Sequence, residues 1–557
     1  MRAPFLLLGV ASCALAALPD GRPHGNMAPS AAIPRVSIPK DTPVTSQNGT
    51  TLPAYSTVYR FKQLIDHNNP SLGTFNQRYW HTYEFYQAGG PIILFTPGEI
   101  AADGYYGYLT NTTINGMIAQ QQHGATIVLE HRFFGTSNPK SDLSAQSLKL
   151  LTVQQAINDL AYFAQNVVLP MPGGNQVTPD KAPWILMGGS YSGALTSWTM
   201  VNKPGIFWAG YASSAVVQAI TPFWQYFDPI RQFMPQNCSA DVQAVTAYVD
   251  QVLNGNSTTA ITQLKSVFGL SGLSHSDDFA GALRNNLWEW QSLQPDSGTG
   301  GAFQAFCDKL EVKNGVSAPA SGWGLNTALQ AWGNYWNQSY YTALCGGSDA
   351  ETCLGTYDVV DEPFWTDPTL GNAARSWSWL VCNELGFFQD GAPTNQPTLV
   401  SRIIQPAYDL RQCAHWFPSQ FPNAAAQMPN TTVTNTRYQG WNVAVDRLFF
   451  ANGKRDPWRD ATVSSDFYTR QSTSMQPIAV SDGFHCSDMS KKNAMDATVA
   501  AVQTQALASM KTWLGQWKPN GTISTSVVPF VQSHPSSSPS PSVAVPKRVN
   551  VWLKSSG

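Results

Sequence analysis

Short, unbroken apolar runs closed by turn residues recur in two stretches of the chain. The first stretch holds residues 91–95 (PIILF), 125–129 (ATIVL), 184–187 (WILM) and 206–211 (IFWAGY); the second holds 447–450 and 477–480. Runs this short and this continuous predict strands buried on both faces. Segments with helical spacing lie between them, residues 152–166 for example, and a long helix over 492–517 closes the pattern. Strands alternating with helices predict a parallel α/β sheet.

The rhythm breaks between residues 216 and 434, where the sequence turns helical, Trp-rich and cysteine-bearing. That stretch reads as an insertion into a sheet domain formed by residues 45–215 and 435–517. Residues 518–557 are Ser/Pro-rich and lack the apolar content of a core, so they read as a disordered tail. At the other end, Arg2, the apolar run 5–10 and the small residues of Ala14-Leu15-Ala16 form a secretory leader over residues 1–16. Seven Asn-Xaa-Ser/Thr sequons agree with export: Asn48, Asn111, Asn237, Asn256, Asn337, Asn430 and Asn520. Extracellular release is the expected destination, with a vacuolar or lysosomal lumen as the alternative.

Of eight cysteines, Cys13 leaves with the leader. Cys238, Cys307, Cys345, Cys353, Cys382 and Cys413 crowd the insertion, and Cys486 stands alone. In an oxidising compartment three bridges and one free thiol are expected. Cys345 and Cys353 close a short loop. The other four allow three connectivities, of which Cys238–Cys307 with Cys382–Cys413 is favoured.

Composition adds mainly exclusions. Charged residues are 12% of the chain, about half the usual share, and net charge is −2. No basic stretch is dense enough to hold phosphates, which argues against nucleic acid, and no long apolar segment argues for a membrane. Oligomeric state leaves no trace in the sequence.

The chemistry gathers around Gly188-Gly189-Ser190-Tyr191-Ser192-Gly193, directly after the apolar run 184–187 and before a small-residue helix. A glycine–serine turn is ordinarily only a turn. Strand, tight turn and helix with serine at the apex make the nucleophile elbow of an α/β-hydrolase, although Ser192 stands where the usual pattern has glycine. In that fold the order is serine, acid, histidine. Of the histidines after Ser190, His275 and His415 fall in the insertion and His534 in the tail. His485, between an expected strand and the last helix, is left as the general base. Asp456, in the loop after residues 447–450, is the first choice for the acid, with Asp460 and Asp482 as rivals. The N–H of Tyr191 and one from the loop after residue 95 would form the oxyanion hole; Pro97 has no N–H, so Gly98 or Glu99 supplies it. Such a site needs no cofactor or metal.

With those residues placed, residues 55–517 resemble the family of lysosomal Pro-Xaa carboxypeptidase and dipeptidyl peptidase II, and within it the fungal secreted prolyl endopeptidases. The likeness rests on Asp66-His67-Asn68-Asn69, Gln77-Arg78-Tyr79-Trp80, Glu130-His131-Arg132, the elbow, Asn452-Gly453 with Asp456-Pro457-Trp458, and Gly483-Phe484-His485. It implies a helical, disulfide-bearing cap and cleavage of peptides or proteins on the carboxyl side of proline, usually at acid pH. By matching positions it also implies a proline pocket built from Trp377, Trp379 and Trp458, with Glu99 and Glu384 binding a substrate amine or sharing a proton. The plainer readings are that the tryptophans are cap core, Glu99 a helix-start charge and Glu384 a cap salt bridge. An esterase or lipase, which uses the same triad, and a non-catalytic binding protein on this fold are the competing functions.

Overall fold

The computed structural model describes residues 18, 22–30, 33–38, 42–298, 300–358, 363–423 and 427–519. The expected leader, Asn520 and the expected tail beyond 519 lie outside the described residues.

Eight strands form the central sheet: β1 (Tyr59–Leu64), β2 (Thr74–Thr82), β3 (Ile92–Phe95), β4 (Ala125–Leu129), β5 (Trp184–Gly189), β6 (Ala209–Ser213), β7 (Leu448–Gly453) and β8 (Ile478–Ser481). Their spatial order is β8-β7-β6-β5-β3-β4-β2-β1. From β4 to β8 every pairing is parallel, while β2 and β1 add an antiparallel edge. The apolar runs account for six of these strands. Residues 206–208 precede β6 rather than open it. β1 and β2 escaped the pattern because they are rich in polar residues, several of them buried.

Helices follow the strands: α1 (Ile114–Gln122), α2 (Val153–Asn166) and α3 (Tyr191–Asn202). The chain then leaves the sheet at Ser213 and returns at Leu448. Between these points its main helices are α4 (Gln236–Leu253), α5 (Ala302–Glu311), α6 (Leu325–Tyr335), α7 (Ala373–Leu380) and α8 (Pro406–Trp416), with one short hairpin, Val312–Lys313 against Val316–Ser317. α9 (Ala497–Leu514) is the last helix.

Alternate residues of each strand feed two cores. Ile92, Leu94, Ile127 and Leu186 meet α2 and α3, through Ile157, Leu160, Leu195 and Trp198. Ile93, Phe95, Val128 and Met187 meet α1 and α9 on the other face. α9 presents Val502, Ala506, Met510 and Trp513, one stripe at helical spacing. Each such fully buried aliphatic or aromatic side chain contributes about 1.5–3 kcal/mol, so both faces of the sheet must be covered. The first core runs on without a break into cap residues such as Val242, Trp332 and Trp377, so cap and sheet are packed as one body.

Three bridges fasten the cap. Cys238–Cys307 joins α4 to α5, Cys382–Cys413 joins the end of α7 to α8, and Cys345–Cys353 closes a loop, with Cα separations of 5.5, 5.8 and 5.6 Å. Cys486 is buried and unbridged. Among the sequons, Asn48, Asn256, Asn337 and Asn430 are exposed, while Asn111 and Asn237 are partly covered.

Candidate active site

β5 feeds directly into the tightest turn of the site. Ser190 sits at φ 58°, ψ −126°, between the last residue of β5 and the first of α3. A non-glycine residue there is strained and needs close support. Its neighbours give that support by being small: a methyl on Gly188 would lie 2.1 Å from Ser192 O, and one on Gly193 would lie 2.7 Å from Ser213 O. Ser192 Oγ donates to Gly189 O at 2.7 Å and accepts the Gly189 N–H at 3.0 Å. It ties the turn shut. Ser190 Oγ, by contrast, is buried with no hydrogen-bond partner among the described residues.

Two loops at the carboxyl ends of neighbouring strands meet beside this elbow. Asp456 follows β7 and His485 follows β8; His485 Nδ1 lies 2.9 Å from Asp456 Oδ1. The same oxygen accepts the Trp458 N–H at 2.8 Å. Burial works against charge on His485, but the Asp456 carboxylate outweighs it, together with Cys486, and holds the imidazole well above its ordinary value. The histidine loop abuts the elbow through Cys486. A methyl on Gly189 would come within 2.9 Å of Cys486 Sγ, and Ser213 O, which accepts the Ser190 N–H at 2.9 Å, lies 3.8 Å from that sulfur. The rival acids are elsewhere. Asp460 accepts the Asp466 N–H at 2.7 Å, and Asp482 forms an exposed pair with Lys454 at 2.9 Å.

The loop after β3 closes over the elbow from the opposite side. Gly98, at φ 80°, is so close that an added methyl would touch Tyr191 Cδ1 at 3.4 Å and Ser192 Cβ at 3.2 Å. Its N–H makes only a long 3.4 Å bond to Thr96 Oγ1. Glu99 is buried, its Oε1 has no partner among the described residues, and burial pushes its carboxyl up to about 8.

An aromatic cavity of about 580 Å³ opens beside these groups, lined in part by Glu99, Trp377, Phe387 and Trp458. The Trp458 ring centre lies 5.4 Å from Phe387, at 90°, and 6.3 Å from His485. Its Nε1–H donates to Gln291 Oε1 at 2.7 Å. Trp377 meets Tyr191 edge-on at 5.4 Å.

Two expected pocket residues face away from the cavity. Trp379 donates to Leu151 O at 3.0 Å and packs edge-on against Phe417; two residues along a helix is about 200° of rotation, so it cannot share the face of Trp377. Glu384 accepts the Val153 N–H at 3.1 Å, capping the first turn of α2, and burial pushes it up to about 7. Its place is structural. Gln291 and Phe387 come from cap segments that carry no local motif, so only the folded chain reveals them.

The remaining motif residues build scaffold. Arg78 and Glu130 pair at 2.5 Å, as do Arg132 and Asp159, both at the β2–β4 side of the site. His131 Nε2 lies 3.2 Å from the Tyr191 hydroxyl, steadying the residue after the elbow serine.

A mainly parallel sheet, a serine at a strand–turn–helix elbow and a helical cap inserted after β6 define an α/β-hydrolase. The sequence narrows the class further. Residues 63–506 match the serine carboxypeptidase S28 family, and the chain belongs to that family; it is a serine-type peptidase. "Serine protease vicPa" of Bipolaris victoriae (strain FI3) is 37% identical over 493 residues, covering 86% of this chain and 90% of the relative. The "Probable extracellular serine carboxypeptidase" of Arthroderma benhamiae is 33% identical over 74% of this chain and 59% of its own. The human "Thymus-specific serine protease" is 26% identical over 81% of this chain and 86% of its own. No helix among the described residues is long and apolar enough to cross a membrane.

Proposed function

We propose that this peptidase is secreted and hydrolyses peptide bonds on the carboxyl side of proline. Ser190 attacks the carbonyl carbon, His485 takes the serine proton and later gives it to the leaving amine, and Asp456 holds the imidazole tautomer and stabilises the imidazolium. The acyl-enzyme is then opened by water. The N–H groups of Tyr191 and Gly98 receive the oxyanion. The reading rests chiefly on Trp458: one residue binds the acid through its N–H and walls the cavity with its ring. Acid and pocket are thereby fixed in one frame. A pyrrolidine ring is compact, apolar and has no N–H to satisfy, so aromatic walls suit it. Digesting an unblocked proline-containing peptide and weighing the fragments tests this reading. Cuts after proline support it, and cuts elsewhere, or hydrolysis of esters alone, overturn it.

A further inference from the structure

The distance between His485 and Asp456 is set by two loops that leave the neighbouring parallel strands β8 and β7. The histidine loop turns sharply straight after the imidazole. Cys486 sits at φ 54°, a conformation that a residue with a side chain holds only under close support. On the sheet side Ser214 Oγ accepts the Cys486 N–H at 2.9 Å. On the other side the support comes from the cap.

Cap residues 290–294 take in the end of a 3-10 turn (Glu289–Ser292) and the extended Leu293 that follows it. Gln294 Nε2 donates to His485 O at 2.9 Å, and its Oε1 accepts Ser487 Oγ–H at 2.8 Å and Asn493 Nδ2–H at 3.0 Å. A side-chain amide has four hydrogen-bonding positions, and three of them go to the histidine loop and the turn after it. Ser487 Oγ in turn accepts the Phe484 N–H at 2.9 Å, so the residues flanking His485 are tied to one glutamine. Four positions earlier, Trp290 Nε1–H donates to Arg455 O, the carbonyl just before Asp456, at 2.7 Å. Its ring lies 5.4 Å from Phe484. Between them, Gln291 accepts the Trp458 Nε1–H at 2.7 Å and lines the aromatic cavity. Five consecutive cap residues thus hold the acid loop, the histidine loop and a wall of the pocket.

We propose that residues 290–294 are a splint that sets the register of the two loops, with Gln294 the positioning residue for His485 and Trp290 for Asp456. Both act through main-chain carbonyls next to or within the residue they place, so they fix where the side chain starts without touching the reacting atoms. Such placement matters because a displacement of about 1 Å in a catalytic group costs about 100-fold in rate. The cap then does more than shape the pocket: it completes the general base. The proposal rests on reading Ser190, His485 and Asp456 as the triad, and not on any preference for proline.

The test is a double-mutant cycle in the full chain, read by steady-state hydrolysis of a p-nitrophenyl ester, which a serine nucleophile with a general base opens whatever its peptide preference. Gln294→Ala should lower kcat by about 10–100-fold with KM unchanged. Gln294→Glu keeps the size and the acceptor oxygens but, when ionised, has no donor for the His485 carbonyl, and it should not restore the rate. Trp290→Phe keeps a ring against Phe484 and loses only the N–H; it should lower kcat in the same way, and it decides the matter if Gln294→Ala does not fold. In an Asp456→Asn background the same substitutions should change kcat by no more than about twofold, because a misdirected imidazole gains nothing from being well placed. Full kcat in these variants, or losses that multiply with that of Asp456→Asn as a general loss of stability would, overturn the proposal. A near-normal kcat in Asp456→Asn itself overturns the triad reading instead.

Discussion

Ser192 and Gly189 are bonded in both directions across the elbow, hydroxyl to carbonyl at 2.7 Å and N–H to hydroxyl at 3.0 Å. The serine that departs from the glycine pattern is therefore spent on holding the turn. Ser190→Ala should abolish fluorophosphonate labelling in a folded protein. Ser192→Ala should lower stability by about 1 kcal/mol, the scale of a lost buried hydrogen bond, and still label. Labelling that survives in Ser190→Ala and vanishes in Ser192→Ala would reverse the assignment.

Asp456 is hydrogen-bonded to His485, whereas Asp460 accepts the Asp466 N–H and Asp482 pairs with Lys454. Asp456→Asn should lower kcat by about four orders of magnitude with little change in KM, because the amide favours the wrong imidazole tautomer. Asp460→Asn should leave kcat within about tenfold. Steady-state kinetics of the two variants decide between them.

Glu99 is neutral until about pH 8, and its charge and that of His485 feel each other. Above that pH a carboxylate inside the cavity stabilises the imidazolium and opposes the oxyanion, so kcat/KM should fall. Glu99→Gln keeps the shape without the charge. Its pH–rate profile should lose the fall near pH 8 and keep its acid limb, where Glu99 is already neutral; an unchanged profile would show that Glu99 plays no electrostatic part.

Stability should peak in mildly acid solution. Glu99 and Glu384, ordinarily 4.5, are pushed by burial to about 8 and about 7. The folded chain keeps protons that the unfolded chain releases, so this contribution is present below 4.5 and lost as pH rises towards 8. His24, His81 and His131, ordinarily 6.5, are lowered by burial to about 3, 4 and 4. There the unfolded chain binds the protons, so stability is lost as pH falls from 6.5 towards 3. The two slopes oppose each other between 4.5 and 6.5, where Tm should be highest. A Tm that climbs steadily from pH 6.5 to 8 would contradict this balance.

These features were unequally visible in the sequence. β3 to β5 and β7 show as unbroken apolar runs because both their faces are covered. β2 does not, because Gln77, Arg78 and His81 are buried, with partners at Glu130 and Thr126; polar residues that find partners inside the protein read from sequence as surface. Ser190, Asp456 and His485 stood out through strand context and chain order. The pocket did not. Trp377 and Trp379 look alike in the sequence, and only the helical turn between them separates cavity wall from cap core. Glu384 offered no sign of capping α2, since its partner is 231 positions away.

The central claim is specificity for proline, and it is tested most directly on blocked peptide amides that differ only in the residue before the scissile bond. Rates are expressed per site titrated by fluorophosphonate. A ring that fills the space between Trp377, Phe387 and Trp458 gains about 1–3 kcal/mol over one that leaves it partly empty, or roughly 10–200-fold in kcat/KM. Proline should exceed alanine by that factor, with bulky and charged residues rejected, and Trp458→Ala should shrink the proline-to-alanine ratio as well as the rate. Equal rates for proline and alanine per titrated site would contradict the account.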